Sequence, residues 1–226
     1  MEKIISSKLG LYEVMGYIIP GLLSLAAINI AAMKLLGHSF EFKTTNEFIT
    51  TAVLLVIVMF LGILLHEIGQ LFEEYFFKPM WKGFLSQRFL LEEDDYYSQD
   101  MKEKLRNMAE VKYSIKPKKY DKKMSQEVFN LMYSNVESNS KDSAAQLFNA
   151  QYGMYRSCFA GSILMLFTYL VLLIGSLVRK DWNSCPELLF VSLFWLLVVF
   201  LFGRRIRRFG ERFADRVIRT FVDCNS

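Results

Sequence analysis

Metal-binding and redox-active residues are scarce in this sequence. It holds two histidines and three cysteines in 226 residues, and no two cysteines form a C-x-x-C pair. A disulfide framework or a zinc knuckle needs more cysteines at closer spacing. The sequence also shows no glycine-rich phosphate loop and no Ser-His-Asp or Cys-His set. We therefore expect no metal, no cofactor and no enzymatic activity.

Alternating β-branched residues are also scarce, which favours an all-α fold over one with strands. Apolar residues, by contrast, make up 53% of the chain. They are concentrated in four blocks, at residues 16–36, 48–65, 158–178 and 185–203. Each block approaches or exceeds the roughly 20 residues that cross a bilayer. The sequence therefore predicts a polytopic membrane protein with four transmembrane helices.

Positive charge predicts the orientation of these helices. Seven arginines lie between residues 204 and 219, after the fourth block, and Lys78, Lys82 and Arg88 follow the second block. The loop at 37–47 holds one lysine, and the loop at 179–187 holds Arg179 and Lys180. By the positive-inside rule, both termini and the segment between the second and third helices are cytoplasmic.

The charge and hydropathy pattern divides the chain into four parts. These are helices 1 and 2 at residues 1–65, a helical cytoplasmic insertion at 66–157, helices 3 and 4 at 158–203, and a tail at 204–226. Within the insertion, Ser98 and Ser125 precede helical apolar patterns. The pattern of the tail predicts a basic amphipathic helix. Its apolar arc would lie either on the membrane surface or on the insertion. The arc contains Ile206, Phe209, Phe213, Val217 and Phe221.

The sequence "HEIGQ", starting at His66, partly matches the H-E-x-x-H motif of zinc proteases. That motif needs two histidines one helical turn apart, so that both imidazoles reach one metal. Here Gln70 stands in the second position, and the other histidine, His38, lies in the loop at 37–47. The pattern therefore argues against a protease site.

Polar residues nevertheless continue along one side of the second helix. His66, Glu67, Gln70 and Glu73 form this stripe, and we consider them and Asn29 of the first helix as pore or gate residues. Such groups are costly in a bilayer unless they face protein or water. A solvated helix end or a hydrogen bond between helices would also explain them. Arg156, before the third block, is predicted to pair with Glu67 or Glu73.

A lysine-rich loop in the insertion is the candidate ligand-binding site. It contains Lys116, Lys118, Lys119, Tyr120, Lys122 and Lys123. Clustered lysines with an aromatic ring hold phosphates and stack a base, so the predicted ligand is a nucleotide or oligonucleotide signal. A solvated loop without a ligand is the alternative.

Two stretches carry a resemblance to a family of small bacterial four-span membrane proteins. One is "HEIGQLFEEYFFKPMW", and the other fits F-N-x-x-Y-G-x-x-R with Phe148, Asn149, Tyr152, Gly153 and Arg156. The resemblance covers about half of the chain, the insertion and its flanking helices. Proteins of this layout resemble membrane effectors of bacterial antiphage systems. There a partner enzyme makes a nucleotide signal, and the membrane protein oligomerises into a channel.

The resemblance implies a multi-pass protein of the bacterial inner membrane that contacts lipid, a cytoplasmic partner enzyme and further copies of itself. We expect a homo-oligomer, with a tetramer as the working number, because four helices in one protomer enclose little space. The expected function is an oligomeric channel or membrane-disrupting effector gated through the insertion. A membrane anchor for a cytoplasmic partner, without conduction, is the alternative.

Overall fold

The computed structural model describes residues 14–37, 47–81, 83–115, 120–139 and 143–225. All regular secondary structure in these ranges is helical, as the sequence predicts. Four of the helices are long and apolar enough to cross a membrane. They span Gly16–Lys34, Glu47–Met80, Leu147–Val178 and Cys185–Asn225.

The main helices are α1 (Ile19–Leu36), α2 (Glu47–Phe72), α3 (Gln99–Tyr113), α4 (Lys122–Asn139), α5 (Ser143–Val178) and α6 (Cys185–Asn225). A π-helical turn, Val14–Ile18, precedes α1, and another, Glu73–Phe77, follows α2. Short helical turns at Lys78–Met80 and Leu85–Arg88 connect α2 to the part of the chain before α3.

The chain divides into two compact units. The first contains Met1–Glu73 and Ala150–Ile206, and the second contains Glu74–Asn149 and Arg207–Ser226. Residues of α5 and α6 therefore belong to both units. Compared with the predicted insertion at 66–157, the second unit is shorter at both ends and includes most of the predicted tail.

Close helix packing in the first unit depends on glycines. A Cβ atom at Gly21 would lie 1.9 Å from the carbonyl oxygen of Val58, and one at Gly62 would lie 2.0 Å from that of Tyr17. No side chain fits at either distance, so the missing Cβ atoms let the backbones of α2 and the N-terminal helical segment touch. Such small-residue contacts are typical of helix pairs in membranes.

The core of the second unit combines α3 and α4 with the last turns of α6. Leu105, Val128 and Met132 are fully buried there, together with Val217 and Phe221 of α6. The Phe221 ring stacks on that of Tyr113, with 6.1 Å between centroids. Of the two alternatives for the tail, the structure therefore shows the apolar arc packed on the insertion.

The helix starts in the second unit agree in part with the sequence. Ser98 caps α3 by accepting a hydrogen bond from the N–H of Met101 at 3.3 Å. Ser125, however, lies inside α4 and is buried, and Asp121 caps that helix by accepting from the N–H of Met124 at 2.8 Å. An aspartate at this position is a strong cap, so α4 begins one turn earlier than predicted.

Candidate interhelical polar site

Polar side chains of α2 and α5 meet at one end of the first unit. His66, Gly69 and Glu73 follow each other at spacings of three and four residues, so they share one face of the helical segment that includes α2 and the turn after it. Gly69 brings this face close to α5, because a Cβ atom there would lie 2.7 Å from the carbonyl oxygen of Arg156. Sequence spacing and a glycine contact together place His66 and Glu73 against α5.

An ion pair joins the two helical segments at this site. Arg156 donates from Nη1 to Oε2 of Glu73 at 3.1 Å, and the two side chains are only 12% and 11% exposed. The hydroxyl of Tyr152, one turn before Arg156, donates to the same carboxylate oxygen. The Glu73 carboxylate thus accepts two hydrogen bonds from α5, and one of its donors is charged.

The histidine has a defined tautomer in this arrangement. The second terminal nitrogen of Arg156, Nη2, lies 2.6 Å from Nε2 of His66. A guanidinium group only donates, so Nε2 is the acceptor and the ring proton lies on Nδ1. Nδ1 then donates to Oγ of Ser157 at 3.1 Å, and that hydroxyl donates to the carbonyl oxygen of Gly153 at 3.0 Å.

These contacts form one chain of hydrogen bonds, and we call its members Tyr152, Glu73, Arg156, His66 and Ser157 the α2–α5 network. It satisfies both terminal nitrogens of Arg156 and the other polar groups that would be costly to place beside lipid, and of the Arg156 guanidinium only Nε has no partner. These hydrogen bonds can hold α2 and α5 in one fixed register. His66 and Glu73, predicted as pore or gate residues, are therefore engaged within the protomer.

Glu67 lies on a different side of α2 and is exposed, and Gln70 is also exposed although it is turned only about 40° from His66. At 100° per residue, Glu67 is turned about 100° from His66 and about 120° from Glu73. Arg156 therefore pairs with Glu73, and a pairing with Glu67 is wrong for this structure. Asn29, the remaining pore candidate, is half-buried on α1 and has a partner within the structure.

Only part of the lysine loop falls within the described residues. Lys116, Lys118 and Lys119 lie outside the described residues. Tyr120 is half-buried, with the Arg106 guanidinium 5.0 Å from its ring centroid, and Lys122 and Lys123 are exposed in the first turn of α4. Because Asp121 already caps this helix, an anionic ligand here would be held by lysine side chains and not by the helix end.

Sequence reasoning missed two members of the network and one charged cluster. Tyr152 and Ser157 could have been found from their spacing, since Tyr152 precedes Arg156 by four residues. In the second unit, the fully buried Lys102 donates to the carbonyl oxygen of Asp94, and Arg88 bonds both the Asp94 carboxylate and Glu211. No regular spacing signals this cluster, because Arg88, Asp94 and Lys102 lie in a short stretch with several breaks in its helices and Glu211 comes from α6.

Within the described residues, no three histidine, cysteine or acidic side chains come together in a way that could hold a metal ion. Comparison with known proteins gives no match to a family model, a curated protein or a solved structure.

Proposed function

We propose that the protein is the subunit of an oligomeric membrane channel or membrane-disrupting effector, gated through its second unit. The observation that carries the proposal is the exposure of Glu67 and Gln70 on α2. They lie between the exposed apolar residues Leu64 and Leu71 of the same helix. A polar or charged side chain beside lipid is costly unless it faces water or protein, so the exposure of these two groups among apolar neighbours favours contact with water or another subunit.

A water-filled mouth between several subunits would provide that environment. One protomer of four spans is too small to enclose a pore, so the pore would lie on the axis of several copies. In this arrangement Gln70 faces the mouth and Glu67 lies at its rim.

The α2–α5 network supports the gating part of the proposal. It joins the two helices where α2 changes into the π-helical turn Glu73–Phe77, and such turns are frequent at functional sites. Residues of α5 belong to both units, so a rearrangement of the second unit is transmitted to this joint. The proposed trigger is an anion, with a nucleotide as the expected class, bound at the lysine loop.

Ion flux from liposomes tests the proposal. Purified protein in vesicles should release a trapped cation, alone or after addition of nucleotides from a defined panel. Gln70→Lys should reduce cation flux at least several-fold, because it adds positive charge to the mouth. The matched control is Asn107→Lys, which adds the same charge at an exposed position of α3. Charge reversal of Lys118, Lys119 and Lys122 should alter the response to nucleotide and leave assembly intact.

The non-conducting anchor is the second candidate, and one observation favours it. α6 exposes seven arginines that would attract an acidic protein surface, and two of them, Arg207 and Arg219, also pair with Glu211 and Asp215 of the same helix. The seven are Arg204, Arg205, Arg207, Arg208, Arg212, Arg216 and Arg219. Absence of flux under every condition, together with retention of an acidic partner by detergent-solubilised protein, would replace the channel with the anchor.

The role in antiphage defence is a further part of the proposal and rests on the resemblance alone. Bacteria that carry the gene with its neighbours should lower phage plating efficiency, and Gln70→Lys should abolish that protection. Equal plating with and without the gene would reject the role in defence without bearing on conduction.

A further inference from the structure

Two exposed stripes on the first unit have the same residue spacing. On α2 the stripe consists of Val53, Val56, Phe60, Ile63 and Glu67, and we call it the α2 stripe. On α6 it consists of Phe190, Leu193, Leu197, Phe200 and Arg204, and we call it the α6 stripe. Both advance by three, four, three and four residues, and all ten positions are exposed. A repeat of 3.5 residues is the pattern of helices that pack side by side over several turns.

Each stripe lies opposite the side of its helix that the protomer buries. On α2 the buried side contains Val58, Gly62, Leu65 and Gly69. On α6, the buried residues Ser192 and Ile206 are turned about 120° and 160° from the centre of the stripe. The stripes therefore take no part in the packing of the protomer and remain available for another surface.

The stripes match each other in direction, register and charge. Successive crossings of a bilayer alternate in direction, so the second and fourth spans, α2 and α6, run the same way. When the two helices lie side by side with Glu67 opposite Arg204, the four apolar residues of the α2 stripe lie opposite the four of the α6 stripe in the same order. We call each such pair a level. At three of those levels a phenylalanine meets an aliphatic side chain, as Phe60 meets Leu197 and Phe200 meets Ile63, and at the fourth Val56 meets Leu193.

Pairing like stripes would be worse. Two α2 stripes in parallel would bring one Glu67 against another, and two α6 stripes would bring one Arg204 against another. Like charges in contact in a low-dielectric setting repel, whereas the mixed pairing joins opposite charges at the end of an apolar seam. Charge complementarity therefore selects the α2–α6 contact.

We infer that the α2 stripe of one copy of this chain binds the α6 stripe of the next copy. The contact uses two different surfaces on each subunit, so each copy has one of each left to extend the assembly. Such a heterologous contact closes into a ring when its rotation permits. The inference deepens the proposed function, on which it rests for an assembly in the membrane, and names the second copy as partner. Arg204 of the neighbouring copy binds Glu67 at the rim of the mouth, and Gln70 faces the mouth itself.

Cysteine cross-linking tests the register. In a chain with Cys158, Cys185 and Cys224 replaced by serine or alanine, Ile63→Cys and Phe200→Cys are combined, and membranes are oxidised. A disulfide needs Cα atoms within about 7 Å. The pair should give a ladder of dimers and higher species, while either single variant gives none. The matched control combines Ile63→Cys with Leu193→Cys, which lies one heptad, or about 10 Å, out of register. It should cross-link at least five-fold less.

Charge exchange tests the end of the seam in the full-length protein. Glu67→Arg and Arg204→Glu should each lower the oligomer fraction at least several-fold in mild detergent, and the double exchange should restore it. Failure of the double exchange to restore assembly overturns the Glu67–Arg204 contact. Equal cross-linking of the in-register and out-of-register pairs, or a ladder from a single cysteine variant, overturns the α2–α6 contact and indicates lipid-facing or like-to-like stripes.

Failure of this contact is distinguishable from failure of the channel. Cross-links in register without ion flux support the contact and reject conduction. Ion flux without these cross-links rejects the contact and leaves the channel in place. Absence of both overturns both.

Discussion

At the scale of single residues, the buried ion pair of Arg156 and Glu73 is the most consequential feature. Glu73 accepts hydrogen bonds from Arg156 and Tyr152, and His66 accepts one from the other end of the guanidinium. Such a group of buried charges contributes little net stability over an apolar replacement, but removal of one member leaves the others without partners. Its effect is therefore on the register of α2 against α5.

Arg156→Met should destabilise the protein by about 3–5 kcal/mol, the usual result of removing one partner of a buried pair. Thermal unfolding in detergent measures the loss. Glu67→Gln is the control, because Glu67 is exposed and takes no part in the network, and it should leave monomer stability nearly unchanged. Equal stability of wild type and Arg156→Met would show that the pair does not form.

A second residue-scale prediction concerns alkaline pH. Burial and the hydrogen bond to the Asp215 carboxylate, at 2.7 Å, raise the pKa of Tyr97 above its ordinary value. A raised pKa in the folded state means that the stabilisation is complete below the unfolded value of about 10 and is lost as the pH rises beyond it.

The melting temperature of the wild type should therefore fall more steeply between about pH 10 and 11.5 than that of Tyr97→Phe, which has no phenol to ionise at this position. Tyr75→Phe, at an exposed tyrosine, is the control and should keep the slope of the wild type. Parallel curves for the wild type and Tyr97→Phe would contradict the prediction.

At the scale of helices, each of the two units has its own kind of internal packing. The first unit depends on the approach of backbones at glycines, and the second on an apolar core that includes the end of α6. The long α6 therefore has two parts. Its first part is apolar and exposed, as in a membrane span, and its last turns are buried in an apolar core like that of a soluble protein. Each kind of contact gives a separate prediction.

Gly62→Ala should separate α2 from the segment at Tyr17, since the new Cβ would lie 2.0 Å from a backbone oxygen. The expected loss is about 1–3 kcal/mol, the usual cost of overpacking, seen as a lower unfolding temperature in detergent. Gly175→Ala is the matched control, because its Cβ would meet the Arg179 side chain at 3.6 Å, an ordinary contact. A loss of the same size in both variants would refute the packing argument.

Phe221→Ala should destabilise the second unit by about 3–5 kcal/mol, because the ring is fully buried in the core. Limited proteolysis of the region around α3 and α4 is the measurement, and it should become faster. Arg208→Ala changes an exposed position of the same helix and should leave the rate unchanged. If proteolysis instead responds only to removal of lipid, the tail is held by the membrane surface.

At the scale of the whole molecule, four membrane-length helices agree with a multi-pass protein, and charge predicts its orientation. In a chain with Cys158, Cys185 and Cys224 replaced by serine or alanine, single cysteines introduced in the loop at 37–47 should react with an impermeant maleimide added to intact cells. Those in the loop at 114–123 should react only after permeabilisation, because the positive-inside rule places them in the cytoplasm. The reverse pattern would invert the topology and place the proposed nucleotide site outside.

The sequence by itself determined the helical class and the number of membrane-length helices. Both follow from the length and composition of continuous apolar blocks, which do not depend on the rest of the fold. The sequence also indicated the cap at Ser98 and restricted the partner of Arg156 to two carboxylates. Tertiary structure decided between these, since Gly69 turns the face with His66 and Glu73, and not Glu67, toward α5. It likewise placed Phe221 in a protein core. An amphipathic helix has the same pattern beside lipid and beside protein, so only the position of the neighbouring helices separates the two environments.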